Sequence, residues 1–472
     1  MQLYNTLIHS KENFIPLEEN KVKIYICGPT VYDFCHIGNA RPLIVFDVLR
    51  RYLEYKGYNV VYVQNFTDVD DKIIKKSIEL KKDFLEISNF FIKEYFIDAD
   101  KLNIKRANFY PRASENIEQI INFIEILIKK EYAYEVKGNV YFSAKKFNDY
   151  GKLSGQKLFE LESGVRIKLN NEKREAFDFA LWKARKNSDP YWDSPWSEGR
   201  PGWHIECSAM VKHYLGKTID IHCGGQDLIF PHHENEIAQS ECANNQKFVR
   251  FWLHNGHVNI NNKKMSKSLG NTFAVRNVAK DFGYETIRFF MLMSHYRSPL
   301  NFSVEAMNSA RLGLERLYNC LENLSFLSKK ACDNPCDNQS TLEKKLKKEI
   351  NILEKKFFDN LNDDLNTAGS ISALFDLIST ANKNLNTYSS KSIIKYFVES
   401  IRKIGKILGI FDKEKKRNFS DEIKKMLDER KESKINKNWV KSDDIRMRLE
   451  KLGILINDTP QGQHAVWKDF YE

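Results

Sequence analysis

The first hundred residues run as apolar segment, amphipathic segment, apolar segment, and that order leaves the chain few folds. Val22 to Cys27, with Lys23-Ile24-Tyr25-Ile26 at its centre, reads as a strand. Leu43, Val45, Phe46, Val48 and Leu49 mark a helix running through Asp47 and Tyr55, and Asn59 to Gln64 reads as a second strand. Strand, crossover helix, strand is the unit of a parallel sheet, whose ligands gather beyond the carboxyl ends of its strands. The sheet resumes with Ile219-Asp220-Ile221-His222-Cys223-Gly224-Gly225, a short strand closed by a glycine turn.

Two segments carry chemistry on this scaffold. Cys27-Gly28-Pro29-Thr30-Val31-Tyr32-Asp33-Phe34-Cys35-His36-Ile37-Gly38-Asn39 follows the first strand and leads into the helix. Gly38 lets a nucleotide approach the backbone, and the helix N-terminus favours negative charge. Far downstream, Lys264-Met265-Ser266-Lys267-Ser268-Leu269-Gly270-Asn271 sets two lysines on a Ser- and Gly-bearing loop, where ammonium groups suit a triphosphate whose charge shifts during reaction. Each segment alone recurs by chance; in this order and separation they point to one nucleotide site.

At 472 residues the chain is long enough for several domains. Its 74 Lys+Arg against 63 Asp+Glu give a net charge of +11, which suits a polyanionic partner, although a sequence so rich in Lys, Asn and Ile also reflects low-G+C coding. No apolar run approaches the ~20 residues that span a bilayer, and no signal-peptide pattern precedes the first strand. The eight cysteines are irregularly spaced, which argues against a disulfide framework and for a reducing cytoplasm.

Between about 112 and 200 the pattern loosens into an amphipathic stretch (Ile117, Ile121, Ile124, Leu127) followed by turn-rich segments such as Ser194-Pro195-Trp196, and is read as an insertion. From about 305 onward Leu314, Leu317, Leu321 and Leu324, then Ile350, Leu353, Phe357 and Leu361, repeat at helical spacing and predict a bundle. Cys332 and Cys336 have no second ligand pair nearby and read as free thiols. Asp412 to Arg417 is a charged linker to a small C-terminal module containing Trp439, Asp443 and Asp458.

Thiols, imidazoles and carboxylates recur near the strand ends. His232 and Glu236 are four apart, a spacing that on a helix puts both on one face within reach of a common ion. The residues themselves do not choose Cys27 over Cys35, or His232 over His233.

The segments Cys27 to Asn39 and Lys264 to Asn271 together resemble the paired ATP-binding signatures of class I aminoacyl-tRNA synthetases. Asn65-Phe66-Thr67-Asp68-Val69-Asp70-Asp71-Lys72, Gly202-Trp203-His204-Ile205-Glu206-Cys207-Ser208-Ala209-Met210 and Phe230-Pro231-His232-His233-Glu234-Asn235-Glu236 are similar to the cysteinyl-tRNA synthetases, over essentially the whole chain. The fold so implied is α/β: a split Rossmann-like parallel-sheet catalytic domain with an inserted domain, then an α-helical bundle and a small C-terminal anticodon-binding module. The expected boundaries are 1–111 and 201–255 for the two catalytic halves, 112–200 for the insertion, 256–304 for the lysine loop and stem-contact region, 305–411 for the bundle and 412–472 for the module.

The resemblance further implies ATP-dependent ligation of L-cysteine to tRNA(Cys) through cysteinyl-adenylate and transfer to the terminal ribose 2′-OH, in a cytoplasmic, monomeric enzyme. It implies one zinc ion on Cys27, Cys207, His232 and Glu236, and Mg2+ accompanying ATP. His36, Gly38, Asn39, Lys264, Met265 and Lys267 are expected at ATP, and Thr67, Trp203 and Asp227 at the cysteine. His204, His222 and His233 supply further imidazoles near the metal, and Trp439, Asp443 and Asp458 are expected at the anticodon. The first signature departs from the superfamily pattern at Asn39, where histidine is usual; an amide also donates to phosphate or ribose oxygen. Two other readings share parts of this pattern. A ligase joining cysteine to an amino-sugar amine, of the mycothiol-pathway type, needs no anticodon module, and a zinc-containing RNA-binding protein needs no lysine loop.

Overall fold

The computed structural model describes residues 1–156, 172–186, 189–260, 263–264, 273–331, 337–411, 420–459 and 462–467. Contacts divide the chain into two compact units, the first made of 1–277, 294–303 and 360–367, the second of 278–293, 304–359 and 368–472.

At the heart of the first unit is a four-stranded parallel sheet in the order Val249–Asn255, Ile219–Gly225, Lys21–Ile26, Asn59–Gln64. Strand Lys21–Ile26 is central, with Ile24 opposite Tyr62 on one side and Ile221 on the other. Val22, Ile24, Tyr25 and Ile26 are wholly buried, as are Ile219, Ile221 and Phe251, because helices cover both faces of a parallel sheet. One of these, Ile37–Tyr55, buries Ile44, Phe46, Val48, Leu49 and Leu53. All four strands point the same way, so Cys27, Asn65, Gly225 and Asn255 leave the sheet at a common edge.

The insertion departs from the expectation of turns. Beyond helix Ile117–Lys129, strands Ala133–Val136, Asn139–Phe142, Phe179–Ala184 and Gly199–Pro201 form an antiparallel sheet in that order. The first two are joined by a two-residue hairpin loop, Lys137-Gly138, with positive φ at both positions, 50° and 80°. Lys-Gly in place of Asn-Gly, between strands of only four residues, conceals that hairpin from pattern reading.

In the second unit the bundle helices run Val304–Lys330, Asp337–Asn362, Thr367–Asn384 and Lys391–Leu408. Leu314, Leu317 and Leu324 are buried as their spacing predicts, while Leu321 is half-buried and Cys320 takes the deeper position. Ile350, Phe357 and Leu361 are fully buried, Leu353 half-buried. A small C-terminal core of Ile423, Ile445, Leu449, Ile454 and Ile456 joins helices Asp421–Ile435 and Trp439–Lys451 to the hairpin Ile454–Thr459/Gly462–Trp467. Among the described cysteines, Cys27, Cys35, Cys207, Cys223, Cys242 and Cys320 are free thiols; Cys332, Cys336 and the linker Asp412 to Arg417 lie outside the described residues. No helix of the described residues is long and apolar enough to cross a membrane.

Candidate active site

The common strand edge opens into a crevice of about 380 Å³, lined by residues of the first signature and by residues at or just beyond the end of each sheet strand. Beyond the first strand the chain keeps its pairing: Gly28 N–H donates to Asn65 Oδ1 (2.8 Å), and Val31 N–H to the Thr67 carbonyl (3.2 Å). Cys27 and Thr67 therefore enter the crevice in fixed relation. Helix Trp203–Tyr214 brings Trp203 and Cys207, and Asp227 follows the glycine turn Gly224-Gly225. Trp203 lies 40% exposed, its ring stacked 4.3 Å from that of His232, as a wall of the pocket.

On the crevice floor, ligand atoms of Cys27, Cys207, His232 and Glu236 all lie within 4.8 Å of one another. The two Sγ atoms are 3.9 Å apart, Cys27 Sγ is 3.5 Å from Glu236 Oε1, and that oxygen is 3.0 Å from His232 Nε2. A tetrahedral zinc with Zn–S near 2.3 Å has sulfur–sulfur edges of about 3.8 Å, so the donor set fits that ion in chemistry and in span. His232 belongs to the turn Ile229–His233 and Glu236 to the first turn of helix Glu234–Asn244, so the i, i+4 spacing acts across a helix junction. A second grouping, Cys27, His222, His233 and Glu236, also lies within 4.8 Å. The first set borders the crevice through Cys27, Cys207 and His232, whereas His233 and His222 do not line it.

The groups of the floor shift one another's ionisation. The hydrogen bond from Cys27 draws the Cys207 thiol down to about 6 against its burial, while burial pushes Cys27 well up. Burial likewise opposes ionisation of Glu236, yet His222 and His232 hold its carboxyl at about 2. Around the set stand the other predicted imidazoles. His222 Nε2 meets Glu236 Oε2 at 2.9 Å, His204 Nδ1 meets His232 Nδ1 at 2.9 Å, and His233 joins His254 at 2.8 Å while its Nε2 lies 3.4 Å from Cys27 Sγ. They orient the inner groups and surround them with hydrogen bonds.

At the other end of the crevice His36 caps helix Ile37–Tyr55. Its Nδ1 accepts from Asn39 N–H at 3.2 Å, so in the neutral ring the proton sits on Nε2, a donor suited to phosphate oxygen. The backbone of Asn39 fixes this tautomer, and its side chain identity does not enter. Gly38 and Asn39 line the same wall. The backbone of Lys264 pairs with Asn259 at the end of a two-residue strand; Met265 and Lys267 lie outside the described residues. Sequence reasoning missed the facing wall, Asn255-Gly256-His257-Val258, and the buried Arg41 that fastens it by donating to the Gly256 and His257 carbonyls at 2.8 and 3.0 Å. Gly-His directly after a core strand was the available clue.

In the C-terminal module Trp439 is 56% exposed, and Asp443, one helical turn on, shares its face. Asp458, also expected at the anticodon, is engaged within the module. Both its oxygens are held by Arg430, at 2.9 and 2.8 Å, with Lys434 at 2.9 Å, and Arg430 keeps the carboxyl well below the usual range. The guanidinium is buried, so this fork ties the hairpin to its helix.

Known proteins place the chain in context. Residues 13–312 match the family profile described as tRNA synthetases class I (C) catalytic domain, and residues 356–412 match the DALR domain. A cysteine–tRNA ligase of Clostridioides difficile (strain 630) is 52% identical over 99% of this chain and 100% of its own length. One from Caldicellulosiruptor saccharolyticus is 52% identical over 98% of both. Among solved structures, an Agrobacterium radiobacter K84 LeuRS–tRNA–LeuAMS complex aligns with a TM-score of 0.62 at 9% identity, covering 85% of this chain and 86% of that one. Mycobacterium tuberculosis methionyl-tRNA synthetase bound by methionyl-adenylate aligns at 0.61 and 13% identity, covering 82% and 92%. At such identities these two likenesses concern the fold alone.

Proposed function

The chain belongs to the cysteine–tRNA ligases of class I, and from that premise we propose how its crevice carries out the ligation of cysteine to tRNA(Cys). The observation that carries the reading is the floor of two thiols, an imidazole and a carboxylate beside Thr67, Trp203 and Asp227. Cys27, Cys207, His232 and Glu236 would hold zinc. When bound, that ion supplies a soft site for a deprotonated thiol side chain, for which serine's alcohol is a poor substitute.

Asp227 pairs with the substrate α-ammonium, Trp203 closes the pocket over the side chain, and Thr67 fixes the neighbouring backbone. The substrate carboxylate attacks the α-phosphorus of Mg2+-ATP in line, releasing pyrophosphate and forming cysteinyl-adenylate. His36 donates from Nε2 to phosphate oxygen, Gly38 and Asn39 admit the nucleotide to the helix N-terminus, and Lys264 and Lys267, with Met265 between them in the signature, carry charge on the departing pyrophosphate. No protein nucleophile is required. The terminal ribose 2′-OH of the tRNA then attacks the adenylate carbonyl, forming the ester as the acyl–phosphate bond breaks and AMP leaves with the hydroxyl proton lost to solvent. Trp439 offers a stacking face to an unstacked anticodon base, with Asp443 as acceptor beside it. The amino-sugar reading lacks a use for this module and for the DALR domain.

The compartment we propose is the cytoplasm, where tRNA and reduced thiols meet. ATP–pyrophosphate exchange across amino acids, followed by charging of defined tRNAs, tests the whole reading alongside elemental analysis for one zinc per chain. Exchange with cysteine that is complete in metal-free protein and unaffected by Cys207→Ala refutes the metal assignment. Charging of an amino sugar in preference to tRNA refutes the acceptor.

A further inference from the structure

Asp364 lies on the loop between helices Asp337–Asn362 and Thr367–Asn384, and that loop, residues 360–367, belongs to the first compact unit. Its carboxylate is wholly buried. Oδ1 accepts from Tyr4 N–H and Tyr296 O–H, both at 2.8 Å; Oδ2 accepts from Arg297 Nε at 2.6 Å, with His295 Nε2 3.6 Å away. Asp364 N–H donates to the Gln2 carbonyl (3.0 Å), and the neighbouring Asn362 takes the Tyr52 hydroxyl at 2.8 Å. The loop is thus fixed on the catalytic unit by the N-terminal strand, the first helix and the 295–297 segment.

That segment in turn carries the crevice wall missed by sequence reasoning. Gly256 N–H donates to the Tyr296 carbonyl (2.8 Å), Leu300 N–H to the His257 carbonyl (2.9 Å), and Arg41 bridges the His295 carbonyl (3.1 Å) to those of Gly256 and His257. The approach is so close that a Cβ on Gly256 would stand 2.5 Å from the Ser298 carbonyl oxygen. The wall follows strand Val249–Asn255, at the edge of the sheet opposite the strand that leads to Thr67. Arg41, two residues beyond Asn39 on helix Ile37–Tyr55, fastens this wall beside the helix N-terminus of the first signature, so a nucleotide at that N-terminus rests against it.

We propose that Asp364 is a positioning residue for ATP: by fastening Tyr296 and Arg297 it sets the height of the Gly256–Val258 wall on which the nucleotide rests. The inference rests on the reading of the crevice as an ATP-dependent activation site. Asp364 adopts φ 57°, a left-handed backbone that asparagine tolerates as aspartate does, so Asp364→Asn preserves the turn. An amide offers one acceptor oxygen and sets an NH2 against the remaining donors, so the three contacts cannot all survive.

The test is ATP–pyrophosphate exchange by Asp364→Asn and Arg297→Lys, with KM measured separately for ATP and cysteine. Equilibrium dialysis of ATP without cysteine, metal content and melting temperature accompany it. We expect KM and Kd for ATP to rise about tenfold in Asp364→Asn and less in Arg297→Lys, with KM for cysteine and metal content within about twofold of wild type. Unchanged ATP affinity in both variants overturns the proposal. So does an equal rise of KM for ATP and cysteine, which would mean general loosening. Wild-type exchange with cysteine is the separate check on the activation reading; its absence overturns both.

Discussion

Replacing Gly28 with alanine tests the site at its narrowest point. A Cβ there would lie 1.6 Å from the Asn65 carbonyl oxygen and 2.8 Å from its carbon, both backbone atoms. To reach an ordinary contact of about 3.4 Å, the Cys27–Thr30 and Asn65–Thr67 segments must part by about 1.8 Å, breaking the Gly28–Asn65 hydrogen bond. Overpacking of this kind costs about 1–3 kcal/mol of stability. The catalytic cost is larger, since Cys27 belongs to the set proposed to hold zinc and Thr67 to the proposed cysteine pocket. Misplacement by about 1 Å can lower a rate ~10²-fold, so kcat/KM for cysteine in pyrophosphate exchange should fall at least that far, about 2.7 kcal/mol of transition-state stabilisation. Bound zinc should fall with it. Stopped assays of exchange, elemental analysis and a thermal melt give the three readouts. An enzyme with alanine at this position that keeps wild-type kcat/KM and a full complement of metal would show that the two segments are not held at this distance during activation.

Lys267→Ala should slow single-turnover adenylate formation by orders of magnitude with cysteine affinity unchanged, because the lysine acts on charge that develops in the transition state; normal activation would give the loop another role. Asp458→Ala strands the buried Arg430 guanidinium and should destabilise the C-terminal module by about 1–3 kcal/mol, discounted because the carboxylate is one-third exposed; hydrogen exchange confined to residues 420–467 reads it, and unchanged protection would refute the fork. Serine should be rejected at activation by ~10⁴ in kcat/KM, a discrimination that needs about 5.5 kcal/mol, and preformed seryl-tRNA should hydrolyse no faster with the enzyme than without it. Ready serine activation, or rapid seryl-tRNA loss, counts against selection at the thiol floor.

Legibility followed pattern length and chemical constraint. Asn59–Gln64 is legible to the residue because the apolar run Val60–Val63 is bounded by polar residues, and Ile219–Gly225 because a glycine pair closes it. Lys21–Ile26 was read one residue late, since its edge is set by hydrogen bonding and not by polarity. The hairpin around Lys137-Gly138 escaped because four-residue strands offer too few alternations to count. The choice of His232 over His233 depends on which ring faces the crevice, a consequence of the turn Ile229–His233 that no spacing rule contains. The ion pair of Asp458 is not legible because its partner Arg430 is 28 residues away and reaches it only through packing of helix on hairpin.

The insertion shows most plainly how the fold serves the site. Ile120, Phe123, Ile124 and Leu127 of its helix and Val140, Phe142, Phe179, Leu181 and Trp182 of its sheet share one buried cluster with Ile205 and Ala209, and with Ala238, Cys242 and Ala243. The last five lie on the two helices that present Cys207 and Glu236. What the described residues of the insertion form is therefore a buttress continuous with the catalytic core, without a hydrophobic interior of its own. Small side chains at Ala209, Ala238 and Ala243 let those helices approach the insertion closely, and a close-packed interface admits few alternative positions. Cys207 and Glu236, proposed as ligands and delivered from separate helices, can keep a fixed spacing to Cys27 only if both helices are held from behind. The selectivity proposed for the thiol floor thus depends on apolar packing in a segment none of whose described residues lines the crevice.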